Sequence, residues 1–214
     1  MKIISIPCGP LNANAYVIYK EDNGDCVVVD PASSGKVGAE LAKHHLHCTH
    51  ILLTHGHFDH VMGVADLRYR EKSICCIHRY DAHALDISDS SVNLSHMSGT
   101  MVKRCPVDKL LKDGEVISAA GFDFLVIHTP GHSKGSVCFV MESEKVIFTG
   151  DTLFRLSVGR TDLLGGNAEE LYKSITRNIF TLPGDYRVLP GHMRETTLEF
   201  ERQHNPFILN GGRF

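Results

Sequence analysis

The chain has 214 residues, 43% of them hydrophobic and 22% charged, with a formal net charge of -3. That balance excludes the disordered and strongly basic classes, and no run approaches the roughly 18 apolar residues of a spanning helix. The opening "MKIISIPCGP" has no apolar leader core, so the expectation is one cytoplasmic domain over 1–214 with neither nucleic acid nor membrane as partner.

In chain order, "KIISI", "AYVIY" and "CVVVD" predict strands, apolar enough in places to be buried on both faces. "SSGKVGAELAKHH" predicts a helix with a serine start and apolar positions at Val37, Leu41 and Ala42. Strand "HILLT", a helix from near Val61 toward Arg70, and strand "SICCIH" follow. The stretch 87–104, "ISDSSVNLSHMSGTMVKR", is polar and serine-rich and reads as a surface excursion that borders a site. Strands "FDFLVIH", "SVCFVM" and "KVIFTG" precede the helix "NAEELYKSITRNIF", where Leu171, Ile175 and Ile179 recur every fourth residue behind an Asn167 cap. "YRVLP" is the last strand, and "NGGRF" is a tail. No repeat or linker divides this mixed α/β pattern. The seven cysteines show no C-x-x-C pair and sit in apolar company, as packed thiols do.

Fourteen histidines are the anomaly, and three of them stand with an aspartate in "THGHFDH", residues 54–60. His55 and His57 are spaced to converge on one ion, with Gly56 allowing the backbone to turn. Asp59 and His60 then point elsewhere, so the crowding predicts a pair of ions. Further ligands are expected from loops at strand ends. "LVIHTPGHSKGS" delivers His132, "VIFTGDT" delivers Asp151, and "RVLPGH" delivers His192, each behind an apolar strand and a glycine.

These segments, "THGHFDH", "TPGHSKGS", "TGDTLF", "GRTD" and "LPGH", resemble those of the metallo-β-lactamase superfamily, most closely the short, single-domain glyoxalase II type of hydroxyacylglutathione hydrolase. The resemblance implies an αββα sandwich, classed α/β or by some schemes α+β, with two mixed sheets flanked by helices. It implies two divalent ions, zinc foremost with iron and manganese as alternatives. His55, His57 and His132 would hold the first, Asp59, His60 and His192 the second, and Asp151 both. The implied reaction is attack of a metal-bridging hydroxide on a thioester carbonyl such as that of S-lactoylglutathione, with Asp59 orienting the hydroxide and Asp151 as the other catalytic carboxylate. Asp30 and Thr54 are candidates to orient the ligands, and Ser133, Ser136 and Thr152 are candidate donors behind them.

Arg160 can grip a substrate carboxylate or pair with Asp162; the sequence weighs both equally. His44, His45, His47 and His50 lie at a helix end and beyond it and read as structural or surface residues; His128 reads as a local packing residue, and His78, His83, His96 and His204 carry no assigned role. The resemblance has a gap: twenty-two residues follow His192, where longer glyoxalase II enzymes carry a helical domain that binds glutathione. Thioester hydrolysis is therefore favoured over glutathione specificity, and the substrate is expected to be a small-molecule thioester, glutathione conjugates included. Rival readings are a persulfide dioxygenase with one iron, a lactone or phosphodiester hydrolase, and a metal-binding scaffold without activity. Oligomeric state is left open.

Overall fold

Two six-stranded sheets lie face to face in the computed structural model, which describes residues 1–22, 24–86 and 101–213. In the first sheet the strands run in chain order: β1 (Lys2–Cys8), β2 (Ala13–Tyr19), β3 (Asp25–Val29), β4 (His47–Leu52), β5 (Ile74–His78) and β6 (Lys109–Leu111). The second comprises β7 (Val116–Ala119), β8 (Phe122–His128), β9 (Val137–Met141), β10 (Val146–Gly150), β13 (Arg187–Pro190) and β14 (Thr196–Thr197), in the order β14-β13-β10-β9-β8-β7. A small hairpin of β11 (Leu153–Phe154) and β12 (Ser157–Val158) stands apart. Each large sheet mixes antiparallel pairs with parallel ones, β3 through β6 in the first and β10 with β13 in the second.

Alternation along the strands decides what each face meets. Tyr16 and Ile18 of β2 point between the sheets, where they join Phe124, Phe139 and Phe148, while Ala15, Val17 and Tyr19 point outward. The outer face of the first sheet is covered by Val37 and Leu41 of α1 (Ser34–Lys43) and by Val64 and Leu67 of α3 (Val64–Glu71). That of the second sheet is covered by α4 (Ala168–Lys173, continued as a wider π turn over Ser174–Ile179), α5 (Leu198–His204) and α6 (Pro206–Leu209), through Leu171, Ile175, Leu198 and Phe207. The result is the αββα sandwich.

Side-chain caps place the helix starts. Ser33 accepts from Lys36 N and Asn167 from Glu170 N, each satisfying a backbone donor that the helix leaves open. The expected helix from Val61 is corrected: Phe58–Val61 forms its own turn, α2, and α3 begins at Val64. Met62 and Gly63 lie between them, and position 63 takes glycine because a Cβ there would collide with the Pro31 carbonyl and the Ser34 amide. The polar excursion falls largely outside the described residues, with 101–104 as irregular chain. Among the described residues, no helix is long and apolar enough to cross a membrane.

Candidate metal centre

The carboxyl ends of β4, β8, β10 and β13 gather at one edge of the sandwich, so loops distant in sequence meet there. His55, His57, Asp59 and His60 follow β4 on the first sheet; His132, Asp151 and His192 follow β8, β10 and β13 on the second. Two triads form. One ligand atom from each of His55, His57 and His132 lies within 4.8 Å of the others, and the same holds for Asp59, His60 and His192. Asp151 stands between them: Oδ1 is 3.4 Å from His60 Nε2, and Oδ2 is 3.5 Å from His132 Nε2 and 3.6 Å from His192 Nε2. All but His192 and Asp151 are buried, and those two are largely covered.

Hydrogen bonds fix which ring nitrogens face the centre. His60 Nδ1 donates to Asp30 Oδ2 at 3.0 Å, and His132 Nδ1 donates to the Arg160 carbonyl at 2.8 Å. Thr54 Oγ1 gives its proton to Asp30 Oδ2 at 2.6 Å and so accepts from His55 Nδ1 at 3.1 Å. Three imidazoles therefore turn Nε2 inward. His57 turns Nδ1, which is 2.8 Å from His132 Nε2. His192 Nε2 lies 3.2 Å from Asp59 Oδ2.

Among the described residues, two buried acceptors in this cluster receive no hydrogen bond, His55 Nε2 and Asp151 Oδ1. Leaving such groups dry and unpaired is costly, and a cation at the centre removes the cost. Charge agrees. Burial drives the His55 ring well below its ordinary pKa, with His60 and His57 adding to the effect, and pulls His57 down to about 3 with help from His132. For His60 burial acts the same way, yet Asp151 and Asp59 outweigh it and hold the ring well above its usual value. Burial favours protonating both aspartates, but His60 heads the neighbours that keep them ionised. The field that holds a proton on His60 is the field a divalent ion would meet, and the clusters fit a metal site.

A third triad, Asp30, His55 and His60, is equally tight. It is not a ligand set, because the Asp30 oxygens already accept from Thr54 N at 2.8 Å, Thr54 Oγ1 and His60 Nδ1. Asp30 holds a left-handed backbone, φ 48°, directly after β3. Gly150 is also left-handed, and a Cβ there would collide with Thr54 Oγ1. Backbone and hydroxyl thus pack β10 directly against the Thr54 turn.

Arg160 fulfils the internal pairing: Nε and Nη2 both bond Asp162, each at 2.7 Å, while the residue also lines the cavity over the cluster. Thr152 shares a hydrogen bond with Thr129 and so does not reach the ligands. His128 packs locally, stacked on His78 at 4.2 Å with Nε2 on the Lys134 carbonyl. Neither His44 nor His47 joins a triad; the one lies near Asp22 and Glu40, the other bonds Asp25 and the Glu71 carbonyl.

Three supporting residues escaped the sequence reading. Asn14 Nδ2 donates to the carbonyls of Pro190 and Met193, and Tyr16 OH donates to Pro190 O at 2.7 Å, which together hold the loop carrying His192. Asp81, buried beyond β5, accepts from Gly56 N at 3.0 Å, Ser133 Oγ at 2.7 Å and Gly135 N at 2.7 Å. It ties the His55–His57 turn to the His132 loop; Ser133 and Ser136, expected as donors, serve this tie. Asp81→Ala strands two buried amides and is expected to cost about 3 kcal/mol in stability and 10- to 100-fold in metal affinity. Thermal unfolding and chelator competition check the two effects.

The metallo-beta-lactamase superfamily model matches residues 8–192. A probable metallo-hydrolase of Bacillus subtilis, YqgX, is 37% identical over 99% of both chains, and the hydroxyacylglutathione hydrolase GloC of Haemophilus influenzae is 28% identical over 97% of this chain and 98% of its own. Among solved structures, the BLEG-1 B3 metallo-beta-lactamase superposes with TM-score 0.90 at 38% identity, covering 97% of this chain and 99% of that one. A di-iron-bound form of TTHA1623 gives TM-score 0.83 at 36% identity, with 95% and 99% coverage.

Proposed function

The chain belongs to the metallo-β-lactamase superfamily, and from that premise we propose that it is a dinuclear metal hydrolase whose substrates are thioesters, S-lactoylglutathione among them. One observation carries the reading: two triads of metal-preferring side chains, each drawn from both sheets, flank Asp151, whose oxygens lie 3.4–3.6 Å from His60, His132 and His192. In this reading His55 Nε2, His57 Nδ1 and His132 Nε2 would hold one ion, Asp59, His60 and His192 would hold the other, and Asp151, placed between the triads, would serve both. The likeness to GloC supports the thioester class, and the likeness to the di-iron TTHA1623 keeps iron beside zinc. Imidazole and carboxylate donors suit zinc, iron and manganese alike.

When bound, a pair of divalent ions supplies water acidified to a pKa near 7 and an electrophile for the carbonyl oxygen. The protein does the rest by position. Asp59, kept ionised by His60 and His192, can hold the proton of the attacking water on its carboxylate. Asp30 and Thr54 keep the His60 and His55 rings in the tautomer that exposes Nε2. A single-iron dioxygenase would leave Asp59, His60 and His192 converging without purpose, which disfavours that rival.

The test is metal analysis and steady-state kinetics on one preparation, with S-lactoylglutathione, other thioesters, lactones, β-lactams and phosphodiesters compared. Two ions per chain are expected, with thioesters turned over fastest and activity abolished by chelation and restored by metal. One iron with oxygen uptake on glutathione persulfide, or a lactone or β-lactam preferred over every thioester, would overturn the proposal.

A further inference from the structure

The cavity over the ligand cluster holds about 650 Å³, room for a substrate of drug size. Its floor is His57, Asp59, His132, Asp151 and His192; its walls are Leu11, Phe58, Phe154, Val158, Leu163 and Met193. Beyond the floor, its polar lining among the described residues is Ser157 and Arg160, whose Nε and Nη2 hydrogen-bond Asp162. Among the described lining residues Arg160 is the cationic side chain outside the ligand cluster, and its charge is paired with Asp162, so a substrate bearing two carboxylates finds little counter-charge in these walls. Leu11 and Met193 stand at the rim, 57% and 59% exposed. Together with the apolar walls they carry the hydrocarbon surface out to the mouth of the cavity.

We infer that this site selects thioesters with an apolar arm, alkyl or aryl, seated against Leu11, Phe154, Leu163 and Met193. The inference rests on the thioester reading and goes beyond it, since glutathione would place a charged tripeptide where the walls offer hydrocarbon. The arm can belong to the acyl group or to the thiol. Both present the same chemistry to the walls, and each burial of a methylene lowers the transition-state free energy in proportion to area removed from water.

The experiment uses metal-loaded protein and two substrate series: acetyl to octanoyl thioesters of one small polar thiol, and acetyl thioesters of thiols from two to eight carbons. In at least one series kcat/KM is expected to climb about three- to fourfold per methylene before it levels off, and the best member is expected to exceed S-lactoylglutathione. The series that climbs identifies the arm. Leu11→Glu is expected to cut the octanoyl-to-acetyl ratio, or its thiol counterpart, about tenfold. Calorimetric binding of octanoate against acetate gives a readout without turnover, with the same rise expected if the acyl arm is seated. Flat dependence in both series, a preference for S-lactoylglutathione, or an unchanged ratio in Leu11→Glu would overturn the inference while leaving thioester hydrolysis intact. Absence of turnover with every thioester would instead overturn the functional reading.

Discussion

Asp151→Ala is expected to lower kcat/KM on the best thioester by at least about 10³-fold while leaving the domain folded. The carboxylate stands between the two triads, within 3.4–3.6 Å of His60, His132 and His192, so its loss strikes both proposed ions at once. Charge stabilisation by metal in a transition state is worth several kcal/mol, and about 4 kcal/mol is a thousandfold in rate. Metal content should fall from two ions per chain to one or none in the same variant. Folding should survive, because Asp151 follows β10 at the rim and contributes nothing to the apolar clusters between and outside the sheets. Circular dichroism, metal analysis and kinetics on one preparation check this; near-normal turnover would contradict the role assigned to Asp151.

The second large effect is expected from Asp30→Ala, although Asp30 is assigned no metal. Its carboxylate accepts from Thr54 N, Thr54 Oγ1 and His60 Nδ1, all buried. Removing it leaves those donors without an acceptor, at about 1–3 kcal/mol for each group stranded. It also frees the Thr54 hydroxyl to donate elsewhere, so the His55 tautomer is no longer set. Loss of an outer-shell partner typically costs 10- to 100-fold in metal affinity or activity, and two ligand histidines depend on this one carboxylate. Asp30→Asn is the informative partner variant: asparagine tolerates the left-handed φ of 48° and keeps one oxygen acceptor. It should recover most of the stability and only part of the metal affinity. Equal recovery of both would show that Asp30 serves the fold alone.

Much of this arrangement was legible in the sequence. The nine apolar runs coincide with β1–β5, β8–β10 and β13; β2, β9 and β10 are buried on both faces and so apolar nearly throughout, while β1 and β8 keep one face partly in water and alternate. The seven candidate ligands gather because each follows a strand that ends at the same edge. The short pieces were not legible. The three residues of β6 and the pairs in β11, β12 and β14 are too brief to show a period, and pairing with neighbouring strands defines them. Asp81 and Asn14 were missed for a related reason. Asp81 meets Gly135 across 54 positions, and Asn14 meets Pro190 across 176, so no local spacing announces them. A buried asparagine inside the apolar strand "ANAYVIY" was the one available signal. The helix placed from Val61 is split into α2 and α3, and the close approach of Gly63 to the Pro31–Ser34 backbone at the junction leaves no trace in the α3 pattern.

Each proposed ion draws ligands from both halves of the sandwich, His55 and His57 with His132, Asp59 and His60 with His192. Such ions would be rivets between layers that otherwise adhere through hydrocarbon. A rivet that binds only the assembled form tightens it by about 1.4 kcal/mol for every tenfold rise in free metal above its dissociation constant. The survival of the chain among cellular proteases would then be tied to the metal supply around it, and scarcity would thin the protein's numbers as well as idle its chemistry.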